Sequence, residues 1–152
     1  MKNPQFWQVA EIVVSYRNQL QLADRPKIVG SRDAENILRA NWSDDIELLE
    51  EFNMLLLSRA NLVKGLFRVS KGGTSGTVVD AKIIFSVALK AMAASIILAH
   101  NHPSGALIPS NTDIELTRKL REAGALLDLP VLDHLILAPY IGYYSFADEG
   151  LL

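Results

Sequence analysis

The sequence contains no cysteine. That excludes disulfide staples, thiolate metal ligands and a cysteine nucleophile, and it fits a reducing, cytoplasmic setting. A charge excess is missing as well: 15 basic and 17 acidic residues leave a net charge of −2. Such a balance offers a phosphate backbone little electrostatic grip, so DNA binding is expected to be weak or absent. Lys82, Lys90, Arg118, Lys119 and Arg121 fall in two predicted helices and read as solvated faces. No apolar run reaches the roughly 18 residues needed to span a bilayer, so no membrane partner is expected. Met1–Trp7 lacks the basic start and apolar centre of a secretion signal. Internal repeats, low-complexity tracts and long linkers are absent too. A chain of 152 residues then fits one compact domain with a buried core.

What is present is a mixture of strand and helix patterns. Val9–Tyr16 is rich in β-branched residues and predicts a strand, making residues 1–30 an extension that joins a domain over 31–152. Ser31–Ala40 predicts a helix capped by Ser31 or Asp33. Phe52–Leu57 is apolar on both faces, as a buried strand is, and the polar break Ser58–Asn61 turns it into a second strand, Leu62–Val69. Lys71–Gly76 is a loop with three glycines (Gly72, Gly73 and Gly76), read as a hairpin turn in preference to the border of a substrate groove. Asp80 caps a helix to about Met92 whose inner face is expected to be Ile83, Ile84, Val87, Ala88 and Ala91. Ser95–His100 is another buried strand, followed by the loop Asn101–Pro109. Ser110–Leu127 follows as an amphipathic helix and Leu129–Leu137 as a strand interrupted by Asp133 and His134. The fold class is α/β or α+β.

Two of the three histidines, His100 and His102, sit where a buried strand meets a loop. Residues two apart on a strand point to the same side, and two converging neutral imidazoles can bind a transition metal. Asp113, one turn into the next helix, is available as a third ligand. Two histidines and a carboxylate leave a tetrahedral position for water, the layout of a catalytic zinc site. Plainer readings compete. His-Asn-His can be a polar rim, and Ser110-Asn111-Thr112-Asp113 has the form of a capping box. The nuclease family named after the letters His-Asn-His is rejected, because its residues come from separated positions of a ββα unit.

The full stretch His100-Asn101-His102-Pro103-Ser104-Gly105, with Pro109-Ser110 and Asp113, resembles the JAB/JAMM metalloprotease motif. Leu132-Asp133-His134-Leu135-Ile136 and the closing Tyr143–Gly150 resemble the RadC branch of that family. The resemblance covers Ser31 to the C-terminus. It implies the JAB/MPN fold, a curved mixed β-sheet flanked by helices with the metal at one end of the sheet. It also implies one zinc ion per chain held by His100, His102 and Asp113, with Ser110 steadying a developing oxyanion. An acid on an early strand serves as general base in the family. Alignment of Phe52 with the family's aromatic selects Glu50, with Glu51 the alternative. The implied activity is metal-dependent hydrolysis of a peptide or isopeptide bond in a protein or peptide substrate.

Asp133 and His134 are read either as partners that orient the ligands or as a satisfied polar pair closing a strand. Two departures stand out. The helix-hairpin-helix DNA-binding module common in RadC-type proteins has no room here, and Ala81-Lys82 stands where many show Pro-Arg. The rival reading is a DNA-repair or mobile-element accessory protein that acts by binding, with a structural metal. The sequence names neither the substrate nor the oligomeric state.

Overall fold

The computed structural model describes residues 10–74 and 76–152. Helix α1 spans Ser31–Ala40 with Gly30, and not Ser31 or Asp33, at its cap position; Asp33, in the first turn, accepts hydrogen bonds from the N–H groups of Val29 and Gly30 at 2.8 and 3.1 Å. Strand β1, Glu51–Leu57, is buried along its whole length because it has a strand on each side. It pairs antiparallel with β2 (Val63–Lys71) and with β3 (Ser95–Asn101). Strand β4 (Val131–Leu137) runs parallel to β3, and the short β5 (Tyr143–Ser145) runs antiparallel to β4. The sheet order is β2-β1-β3-β4-β5. Helix α2 (Ala81–Lys90) joins β2 to β3, and α3 (Asn111–Leu126) makes the crossover that the parallel β3–β4 pair requires.

Alternation along the strands explains why both faces are apolar. Phe52, Met54, Leu56, Ile96 and Leu98 pack with Ile84 and Ala88 of α2 and Leu120 of α3. Leu55, Leu57, Ile97, Ala99, Leu135 and Leu137 pack with Ala34 and Leu38 of α1 on the other face. A sheet covered on both sides needs strands apolar on both sides, which is what β1 and β3 display. The architecture is the expected α+β one, a mixed sheet flanked by helices. Among the described residues no helix is long and apolar enough to cross a membrane.

Three further expectations need correction. Ala10–Tyr16 forms no strand, and Val9 lies outside the described residues. Ile12, Val13 and Val14 are exposed, because β-propensity is realised only against a partner edge. The chain before Ser31 meets the domain through Tyr16, whose hydroxyl donates to the Lys64 carbonyl at 2.7 Å, and through Pro26–Ile28: the Val63 N–H donates to the Pro26 carbonyl at 2.8 Å, and the Ile28 N–H to that of Asn61 at 2.9 Å. In α2, Ile83 is 43% exposed while Phe85 is buried; consecutive apolar residues leave the phase of the buried face open. Finally, the glycine loop is no hairpin turn but joins β2 to α2, while the β1–β2 hairpin turns at residues 58–62, as the polar break Ser58–Asn61 predicts.

Candidate metal centre

Three segments meet at the C-terminal end of β3. The strand ends on His100 and Asn101, and the backbone N–H of His102 still pairs with the carbonyl of Leu137 at 3.0 Å. The chain then turns at Gly105, whose φ of +82° lies in the region that glycine tolerates best. It enters α3 at Ser110. Among the described residues, the cluster able to hold a metal is His100, His102 and Asp113, with ligand atoms all within 4.8 Å of one another.

The His100 and His102 Nε2 atoms are 3.0 Å apart. One Asp113 oxygen lies 3.3 Å from His100 Nε2 and the other 3.4 Å from His102 Nε2. A zinc ion about 2.0–2.1 Å from each of three tetrahedral ligands sets them roughly 3.3 Å apart, so the donor set fits such an ion. His102 supports the same reading from its other side. Its Nδ1 lies 2.7 Å from the Ala106 carbonyl, so Nδ1 carries a hydrogen and Nε2 is the nitrogen turned to the cluster.

The capping box at Asp113 is formed, and the same carboxylate lies against both histidines. Asp113 accepts from the Ser110 N–H at 2.8 Å, and Ser110 Oγ accepts from the Asp113 N–H at 3.1 Å. The box therefore aims the carboxylate at the histidines. It also leaves Ser110 its own hydrogen, because capping uses a hydroxyl lone pair.

The electrostatics follow from this crowding. Burial pushes the Asp113 carboxyl up, but the adjoining imidazoles of His100 and His102 outweigh it and hold the group far below the usual carboxylate range. The His102 imidazole is raised, chiefly by its hydrogen bond with Asp113 and against the effect of burial. Burial pushes His134 well below the ordinary histidine range and raises Asp133 against the hydrogen bonds it accepts.

A cleft of about 300 Å³ opens on the cluster, lined among others by Glu50, Phe52, Gly76, Thr77 and Ser110. Glu50 thus shares one cleft with the three candidate ligands. Glu51 lies on the opposite face of the sheet, fully buried and engaged by Ser43, Lys71 and Arg68. The glycine loop borders this cleft, correcting its reading as a plain hairpin turn. Gly72 and Gly73 exchange backbone hydrogen bonds with Glu50 at 2.8 and 3.3 Å. A Cβ at Gly72 would fall 2.0 Å from the Gly76 carbonyl oxygen, so only glycine permits this close approach.

Two residues passed over in the sequence complete the site. Asn101, between the histidines, points to the other face. Its Oδ1 accepts from the Glu51 N–H at 2.7 Å, and its Nδ2 donates to the carbonyls of Ile46 and Leu49 at 2.7 and 2.9 Å. It fastens the segment that presents Glu50; strand alternation was the available signal. Thr117 is buried beneath the ligands, its hydroxyl against His134. A threonine among the apolar positions of α3 gave little sign of this.

Asp133 and His134 make separate contacts. Asp133 accepts from the Ser145 hydroxyl at 2.6 Å and the Ala147 N–H at 3.0 Å, tying down the chain after β4. His134 turns inward, 2.8 Å from His100 Nδ1.

Comparison with known proteins agrees with this geometry. Residues 28–151 match the model of the RadC-like JAB domain. A UPF0758 protein of Flavobacterium johnsoniae is 43% identical over 82% of this chain and 53% of its own length. Another, from Rubrobacter xylanophilus, is 38% identical over 84% of this chain and 55% of its own. The chain spans about half the length of the curated relatives it matches. With the match covering nearly all the described fold and the whole cleft, the chain belongs to the RadC-like JAB domain family.

Proposed function

We propose that this chain is a zinc-dependent hydrolase of the JAMM type, acting on a peptide or isopeptide amide. The observation that carries the reading is the convergence of His100 Nε2, His102 Nε2 and the Asp113 carboxylate in a cleft that also holds Glu50 and Ser110. One zinc ion held by the three ligands would supply Lewis acidity and bring the pKa of a water molecule to about 7. Glu50 accepts the proton of the attacking water and passes it to the leaving amine. The Ser110 hydroxyl donates to the developing oxyanion, a contact whose loss costs about 100-fold or more in comparable sites. Asp113, held ionised beside the imidazoles, keeps its place as an anionic ligand.

The test begins with elemental analysis of protein purified without chelator. About one zinc per chain is expected in the parent and much less in His102→Ala; equal contents would remove the site. Hydrolysis is then assayed with peptide and isopeptide libraries. Zinc-loaded parent protein that cleaves neither class would leave a metal-binding domain.

A further inference from the structure

Resting on the metal reading above, we infer that Thr117 and His134 form a buried positioning pair that fixes the tautomer of His100, leaving its Nε2 bare for the metal. The assignment follows from counting hydrogens along one chain of contacts. Thr117 Oγ1 lies 2.6 Å from the Asp113 backbone carbonyl. A carbonyl can only accept, so the hydroxyl hydrogen is committed there. The same Oγ1 lies 2.6 Å from His134 Nδ1. With its hydrogen spent, the threonine oxygen accepts, and His134 Nδ1 donates.

A neutral His134 then has a bare Nε2, which lies 2.8 Å from His100 Nδ1. His100 must donate across that contact, so its hydrogen sits on Nδ1 and its Nε2 lone pair faces His102 and Asp113. The opposite arrangement, with hydrogen on His134 Nε2, would place the His100 hydrogen on Nε2 and block ligation. His134 is therefore not itself a ligand: it touches the far nitrogen of His100.

Packing holds the relay in place. His100, Thr117 and His134 are at most 1% exposed. His134 stacks on Phe146 with ring centres 4.9 Å apart, and His100 stacks parallel to Phe52 at 6.0 Å. No bulk water can exchange the tautomers cheaply, because each nitrogen already has a partner. Thr117 also ties α3, which carries Asp113 and is capped by Ser110, to β4 and through it to β3. One hydroxyl thus serves two of the three ligands.

The chain has only three histidines, so their ring nitrogens can be resolved by ¹⁵N–¹H correlation spectroscopy. His134 is expected with its hydrogen on Nδ1 in both the metal-free and the zinc-loaded protein. Thr117→Val keeps the shape but removes both hydrogen bonds. It should let the Nε2–H form of His134 appear in the metal-free protein and weaken zinc affinity by about 10–100-fold, measured by chelator competition. Thr117→Ser should restore both the tautomer and the affinity. Parental zinc affinity in Thr117→Val, or a hydrogen on His134 Nε2 in a parent protein that binds zinc normally, overturns this inference and leaves the metal reading standing. If the parent binds no zinc, both fall.

Discussion

Glu50 and Glu51 are consecutive residues whose carboxylates lie on opposite faces of the sheet. Glu50 opens onto the cleft beside His100 and His102, while Glu51 is buried with Lys71 at 3.3 Å and Arg68 at 3.9 Å. The two carboxylates are therefore expected to differ in role. Glu50→Gln should retain zinc and fold while lowering hydrolysis by about 100-fold or more, the range of a lost acid–base group. Glu51→Gln should instead cost stability, on the order of 1–3 kcal/mol, because it removes the charge of a buried carboxylate that Ser43, Lys71 and Arg68 engage. Zinc content, urea unfolding and turnover of both variants check this. Loss of turnover in Glu51→Gln with Glu50→Gln unaffected would reverse the assignment.

Zinc affinity should fall with pH earlier than the ordinary histidine pKa of about 6.5 suggests. In the metal-free site Asp113 raises the His102 pKa, so the proton persists on the ring to higher pH. A metal must displace it, and binding releases a proton. Affinity therefore rises with pH until above the raised pKa and falls about tenfold per unit below it, for one proton released. Chelator competition between about pH 6 and 8.5 measures the slope; a flat profile contradicts the coupling.

Asn101→Ala should leave all three ligands in place yet release the segment before β1. Three hydrogen bonds disappear, including one to the buried Glu51 N–H. Stability should drop by roughly 1–3 kcal/mol for the stranded polar group. Turnover should fall through Glu50, with zinc content near that of the parent. Elemental analysis beside urea unfolding and a turnover assay distinguishes this from loss of the metal.

DNA should bind weakly to this chain. At a net charge of −2, few phosphates can be neutralised, and counterion release is small. A gel-shift titration near 150 mM salt, about physiological, should show no complex tighter than the micromolar non-specific range. A nanomolar complex would favour the binding-protein alternative.

Much of the fold was legible because its buried strands are short, apolar and bounded by polar breaks. Phe52–Leu57 and Ser95–His100 fall inside β1 and β3. Ala10–Tyr16 misled because β-branched composition carries no information about whether an edge is available. The tripeptide His100-Asn101-His102 was half legible: its alternation puts the histidines together, but the partners of Asn101 come from a distant segment. His134 was recognisable as a polar interruption in an apolar strand. Its link to Thr117 was not, since it depends on how α3 packs over β4.

All three candidate ligands come from one continuous stretch, His100–Asp113, whereas Glu50 arrives from the segment just before β1. An unfolded chain keeps such neighbouring ligands close at little loop-closure cost. It can therefore retain some hold on the ion, and any binding to the unfolded state reduces the stabilisation that a ligand confers by mass action. Zinc should thus raise the melting temperature less than its affinity for the native site would suggest. The acid has no such local shortcut, so a chain that has lost its sheet should still carry metal yet be unable to bring Glu50 to it.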